Sequence, residues 1–92
     1  MNKTELVVLM AERAGVTQKV AGDVLDAFTG IVAETLGERR EKVVITGFGT
    51  FEIRHRVQRS GVDPRTGERI VVPAQDTPAF RAGKLLKQAV KE

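Results

Sequence analysis

Arg54, Arg56, Arg59, Arg65 and Arg69 crowd one short stretch of this 92-residue chain, with only Asp63 and Glu68 among them to oppose their charge. A guanidinium is planar, stays protonated and presents five N–H donors in a fork that matches phosphate oxygens two at a time. The chemistry on offer is therefore anion recognition rather than proton transfer. In an extended chain the side-chain period of two places Arg54 and Arg56 on one face. Arg59 has the opposite parity and joins that face only across a bulge or a strong twist. The middle of the stretch, Gly61-Val62-Asp63-Pro64-Arg65-Thr66-Gly67, is dense in turn formers, with glycine for positive φ and Asp-Pro for turn initiation. Arg69 then leads into the β-branched run Ile70-Val71-Val72, which Pro73 ends. Two extended runs joined by a turn, too polar to make a core, form a ribbon that is marginal in water by itself. The expectation is a hairpin that projects from a body and is stabilised by what it wraps. The plainer alternative is a solvated surface hairpin.

The composition favours the first reading. Residues 1–53 carry 6 basic and 8 acidic groups, whereas residues 54–92 carry 9 basic and 4 acidic. A slightly acidic body joined to a basic second half suits a polyanionic partner. The chain has no cysteine, hence no disulfide and no thiolate metal site, which fits a reducing compartment. There is no signal-peptide h-region and no run long enough for a membrane span, so a cytoplasmic location is expected. No Ser/His/Asp set, phosphate-cradling loop or convergent carboxylate pair is visible, and the chain is read as a non-enzyme without cofactor or metal. His55, the single histidine, is read as a groove contact or a partly covered side chain and not as a ligand.

The elements that must hold the ribbon follow in order. Asn2 with Glu5 three residues on has the form of a capping box and opens a helix to about Ala14, closed by Gly15. Thr17 caps a second helix over Gln18–Leu36, with Gly37 as its expected stop. Val20, Ala21, Val24, Leu25, Phe28, Ile31, Val32 and Leu36 recur at spacings of three and four on this helix. That stripe is too wide for the first helix alone, so a sheet, a second copy of the chain, or both must cover the rest. Gly22 and Gly30 project onto its polar face. A short strand at Lys42–Ile45, a turn at Thr46–Gly49 and a strand from Thr50 follow. Phe51 and Ile53 face inward on that strand, Thr50 and Glu52 outward, and the strand is expected to run unbroken into the arginine ribbon. After Pro73 an edge strand down to Phe80 is preferred over a helix capped by Thr77. A last helix from about Gly83 to Lys91 turns Leu85, Leu86, Ala89 and Val90 inward. Lys84, Lys87 and Lys91 point outward.

In this order the motifs GFGTF (47–51), GVDPRTG (61–67) and PAFRAGKLLK (78–87) resemble the HU/IHF family of bacterial DNA-bending proteins, and the HU branch more than IHF. The likeness runs from NKTEL (2–6) to the end of the chain. IHF and HU are themselves standing examples of architectural minor-groove binders, so the mechanism comes with the resemblance and not with the composition. It implies an α+β fold: an intertwined dimer of helical hairpins, capped by a small antiparallel sheet, with one protruding β-ribbon arm per chain and a C-terminal helix. Residues 1–92 would be a single HU-like DNA-binding domain, with 1–53 and 74–92 as dimer body and 54–73 as arm. Phe28, Phe48, Phe51 and Phe80 would be dimer-core aromatics. Pro64 would be the wedge that enters a base step and kinks the duplex. The expected DNA contacts are Arg54, Arg56, Arg59, Val62, Pro64, Arg65, Arg69, Arg81, Lys84, Lys87, Lys3 and Gly47. A Lys3–Asp26 surface pair is also implied.

The resemblance implies binding to double-stranded DNA as a homodimer, with a preference for kinked, nicked or gapped duplex and a nucleoid location. Family tips usually read Arg or Lys, then Asn-Pro, where this chain has Val62-Asp63-Pro64. A cation is exchanged for a valine and an anion appears beside the wedge, which bears on tip insertion before arm wrapping. The link 37–41 also looks about one residue longer than in HU. Among rival readings, a helix-turn-helix repressor is rejected, because the outward face of the second helix offers Lys19 among Asp23, Asp26 and Glu34 and would repel a major groove. A sequence-preferring IHF-like bender, or a basic hairpin that docks on an acidic protein, remains as the alternative.

Overall fold

The computed structural model describes residues 1–91. Helix α1 spans Lys3–Ala14, and the Asn2 side chain accepts the Glu5 amide at 2.9 Å, satisfying one of the donors a helix start leaves free. Gly15, at φ 68°, closes it in the left-handed region. Thr17 Oγ1 accepts the Val20 amide at 3.2 Å and opens α2, Gln18–Glu34.

The end of α2 differs from expectation. Gly37 does not stop the helix; Thr35–Arg39 continues as a π turn, and Arg40 closes it at φ 57°, ψ 36° with its amide donating to the Thr35 carbonyl. Leu36, buried at 8% exposure, anchors the turn in the apolar layer and carries the winding past the glycine. A π turn encloses one residue more than an α turn.

Five strands follow: β1 (Val43–Ile45), β2 (Gly49–Arg56), β3 (Arg59–Val62), β4 (Arg69–Val72) and β5 (Gln75–Ala82), before helix α3, Lys84–Val90. Strands β1, β2 and β5 form an antiparallel sheet in that spatial order, with Phe51 opposite Phe80 and Ile53 opposite Pro78. The edge reading of residues after Pro73 is therefore correct, and Pro78 is tolerated because an edge strand has one side without ladder bonds. Strands β3 and β4 make a separate two-stranded ribbon. The expected unbroken strand from body to arm is interrupted at Val57–Gln58, and the return at Pro73–Ala74. Pro73 has no amide hydrogen to give the ladder.

The aromatic side chains stack between α2 and the sheet, with ring centroids 6.0 Å apart for Phe28–Phe51, 4.9 Å for Phe51–Phe80 and 5.5 Å for Phe48–Phe80. Yet within one chain the buried apolar residues, among those described, are Ala11, Ala21 and Leu36, while Val24 and Ile31 on the α2 stripe are each 58% exposed. The accessible surface is 7713 Å², against about 5,300 Å² for a compact monomer of this length. The radius of gyration is 18.6 Å, where a compact chain would have about 12 Å. A projecting ribbon and an uncovered apolar stripe account for both excesses. Among the described residues, no helix is long and apolar enough to cross a membrane.

Candidate nucleic-acid interface

The ribbon tip is a built turn. The Asp63 amide donates to the Glu68 carbonyl and the Gly67 amide to the Asp63 carbonyl, both at 2.8 Å. The Asp63 side chain accepts the Arg65 amide at 2.8 Å, and Gly67 takes φ 72°. Of the two glycines that bracket the tip, only Gly67 has the positive φ that the sequence suggested for such residues; Gly61 lies within β3, opposite Ile70. Asp63 is thus a structural acceptor as well as a charge. Pro64 and Val62 stand exposed beside it.

Cross-strand partners share a face of a sheet. In the ribbon this puts Arg59 with Gly61, Ile70 and Val72 on one face, and Arg69 with Ser60, Val62 and Val71 on the other. Arginine therefore decorates both sides of the arm, and the arm has no apolar face large enough for a core. Arg54 and Arg56 belong to the end of the body sheet, opposite Thr77 and Gln75. Among the described residues, Arg54, Arg56, Arg59, Arg65, Arg69, Lys84 and Lys87 have no carboxylate within salt-bridge distance, whereas two expected DNA contacts do. Lys3 pairs with Asp26 at 2.7 Å, the pair the resemblance implied, and Arg81 Nε lies 3.7 Å from Glu52.

Gly47 serves packing. At φ 86° it turns the chain so that its carbonyl accepts the Leu85 amide at 3.1 Å, and a Cβ there would lie 2.9 Å from the Leu85 side chain. Beside it the Gly83 amide donates to the Phe48 carbonyl at 2.7 Å, and a Cβ on Gly49 would strike the Phe80 ring. The GFG motif is the seat on which α3 docks, which sets where Lys84 and Lys87 stand.

One group of side chains escaped the sequence reading. His55 and Asp76 are directly opposed across β2 and β5, and Nδ1 of the imidazole donates to Asp76 Oδ1 at 2.6 Å. Nδ1 must carry the proton, because an ionised carboxylate only accepts. Arg40 reaches the other carboxylate oxygen at 3.2 Å from the π turn. The hydrogen bond from His55, with the charges of His55 and Arg40 behind it, holds the Asp76 carboxyl below the usual range against an opposing desolvation. The signal was countable: once Phe51 is set opposite Phe80, pairing residue by residue brings His55 to Asp76.

A helical hairpin on a three-stranded sheet, extended by a cationic ribbon that cannot fold on itself, defines a class of small body-and-arm proteins for gripping an elongated anion. The chain belongs to the bacterial DNA-binding protein family, that of HU and IHF, whose model matches residues 1–91. It is 48% identical over 91 residues to the DNA-binding protein HU of Staphylococcus aureus, covering 99% of this chain and 100% of that one. HU-1 of Halalkalibacterium halodurans is similar to the same extent. Among solved structures, a cocrystal of Anabaena HU with DNA superposes with a TM-score of 0.88 at 46% identity, covering 98% of this chain and 97% of that one. A Thermotoga maritima HU variant gives 0.73 at 34% identity, over 99% and 100% of the two chains. Members of this family are architectural proteins and not enzymes.

Proposed function

We propose that the chain works as a homodimer that binds duplex DNA with little sequence preference, embraces it with two arms (the β3–β4 ribbons, residues 59–72) in the minor groove, and bends it within the nucleoid. The observation that carries this reading is the ribbon itself. It is joined to the body across two unpaired breaks, carries arginine on both faces and has no core of its own. The likeness to a HU chain crystallised with DNA extends over nearly the whole molecule and so includes the arm. The dimer follows from the open side of α2. An apolar hollow of about 570 Å³, lined in part by Val32, Leu36, Phe51, Ile53 and Phe80, lies beside that exposed stripe and calls for apolar cover. A second copy supplies that cover and at the same time presents two arms to one duplex.

In this reading Arg54, Arg56, Arg59, Arg65 and Arg69 displace counterions along the groove, and Lys84 and Lys87 hold flanking phosphates. Lys3 and Arg81 join after their surface pairs open, at a cost of about 0–1 kcal/mol each. Pro64, with Val62 beside it, enters a base step. Unstacking costs a few kcal/mol and is offset by the additional surface that bent DNA brings to the body. A titration of straight and nicked duplexes of one sequence, with the dimer first established by sedimentation, tests the whole. Tighter binding to the nicked duplex is expected, because part of the deformation is already supplied. Equal affinity for the two removes bending, and a monomer removes the paired arms.

A further inference from the structure

The base of the arm is where the body's control over it must act. The body sheet ends in the rungs Arg54–Thr77, His55–Asp76 and Arg56–Gln75, and the ribbon ladder begins only at Arg59–Val72. Residues 57–58 and 73–74 between them belong to no strand. Whatever fixes the direction of the arm has to act at those last rungs. Two of the three offer no side-chain link between the strands among the described residues; the middle one does, through the 2.6 Å His55–Asp76 hydrogen bond. The same carboxylate is gripped from a third element by Arg40, 3.2 Å away. Arg40 is the one non-glycine residue at positive φ among the described residues. That region is unfavourable for an arginine, so its backbone is held there by the bonds from the Arg40 and Glu41 amides to the Thr35 carbonyl. The π turn thus aims a guanidinium from the end of α2 at the root of the arm.

Asp76 is out of place electrostatically. It stands between Arg40 and His55, on a molecule whose partner is a polyanion, where a carboxylate subtracts from attraction. An exposed pair also adds little to folding stability. We propose that Asp76 is a positioning residue for DNA binding: by holding His55 and Arg40 together it locks the rungs at the arm base to the end of α2 and sets the direction in which the arm leaves the body. This rests on the DNA-binding reading above. An arm already aimed loses less conformational freedom when it enters the groove, and that is where the contact contributes.

The sign of one substitution separates this role from simple electrostatics. Asp76→Asn keeps the size of the side chain and removes one negative charge, so electrostatics alone predicts tighter binding. A positioning role predicts binding weakened about fivefold for an arm that must be ordered on contact, with the thermal midpoint little changed. Asp76→Glu, which restores the carboxylate, should recover most of the affinity. The free protein supplies a second readout, ¹⁵N relaxation of the β3 and β4 amides, whose order parameters should fall in Asp76→Asn and return in Asp76→Glu. Tighter or unchanged binding by Asp76→Asn overturns the proposal, and so do arm order parameters that do not move. Should the unaltered protein fail to bind duplex at all, the functional reading fails instead, and the relaxation comparison still decides whether Asp76 aims the arm.

Discussion

Asp63 does two things at the tip that a single substitution can separate. Its side-chain oxygen caps the Arg65 amide at 2.8 Å, and its charge sits next to the exposed Pro64. Asparagine keeps an oxygen for the cap and discards the charge, so Asp63→Asn leaves the turn intact. Repulsion between that carboxylate and groove phosphates is on the order of 1 kcal/mol in a wet groove. Asp63→Asn should therefore tighten binding about fivefold for each arm that reaches the groove. An unchanged dissociation constant would mean that the tip does not approach phosphate. Asp76 offers a second test at this scale. Its carboxyl is held below the usual range by His55 and Arg40, so its grip is complete at neutral pH and persists through the ordinary aspartate range. The grip is lost only as the pH falls through the depressed value. A ¹³C titration of the Asp76 carboxyl should give a midpoint below that of an unperturbed aspartate, and a midpoint at or above it would show that the cluster does not form in solution.

Among the elements, glycines of opposite consequence sit in similar company. Gly30 lies in the middle of α2 with open space where a Cβ would be. Gly30→Ala removes only the entropy that glycine loses in a helix and should stabilise by about 0.5–1 kcal/mol, seen as a thermal midpoint a few degrees higher. Gly47→Ala meets a positive φ and the Leu85 side chain together, and should destabilise by about 2 kcal/mol while loosening α3. If both substitutions moved the midpoint the same way, the docking role of the GFG turn would be wrong. Gly22 also corrects a reading from periodicity. A Cβ there would touch Val7 at 3.9 Å, an ordinary contact, so this residue faces α1 instead of the polar side.

Such elements show what a sequence can disclose. Asn2, Gly15 and Thr17 mark their helix ends legibly because a cap is satisfied within three or four residues of itself. The edge strand through Pro78 was legible for a similar reason: Pro78 alone would equally begin a helix, but Gly83 is a poor early helix residue and Phe80 is the one large anchor nearby. The π turn and the break at Val57–Gln58 were not, since the hydrophobic period reports which residues face the core and says nothing about where winding or pairing lapses. The cluster of Arg40, His55 and Asp76 draws on three elements and needs the strand register, which no local pattern carries. The arm arginines were found from charge alone; their placement on two faces needed the ladder.

At the scale of the whole molecule, the arrangement is a body of balanced charge carrying a projecting cationic finger, and its grip should be electrostatic. Each phosphate neutralised on duplex DNA releases condensed counterions, so the logarithm of the binding constant falls by about 0.9 for each tenfold rise in salt per phosphate met. Arg69 is a clean probe of this. It lies on the face of the arm with Val62 and Val71, has no carboxylate partner among the described residues, and its substitution touches no core. A dimer carries it twice. Arg69→Gln should therefore weaken binding to all duplex sequences alike and lower the magnitude of the salt slope by up to about 1.8. The uniformity matters as much as the slope, because a contact to a base edge would penalise one sequence more than another, whereas a phosphate contact penalises all. A slope that stays put would place Arg69 away from the phosphates. A loss confined to particular sequences would move the protein toward the sequence-preferring branch of its family and make the arm a reader of bases.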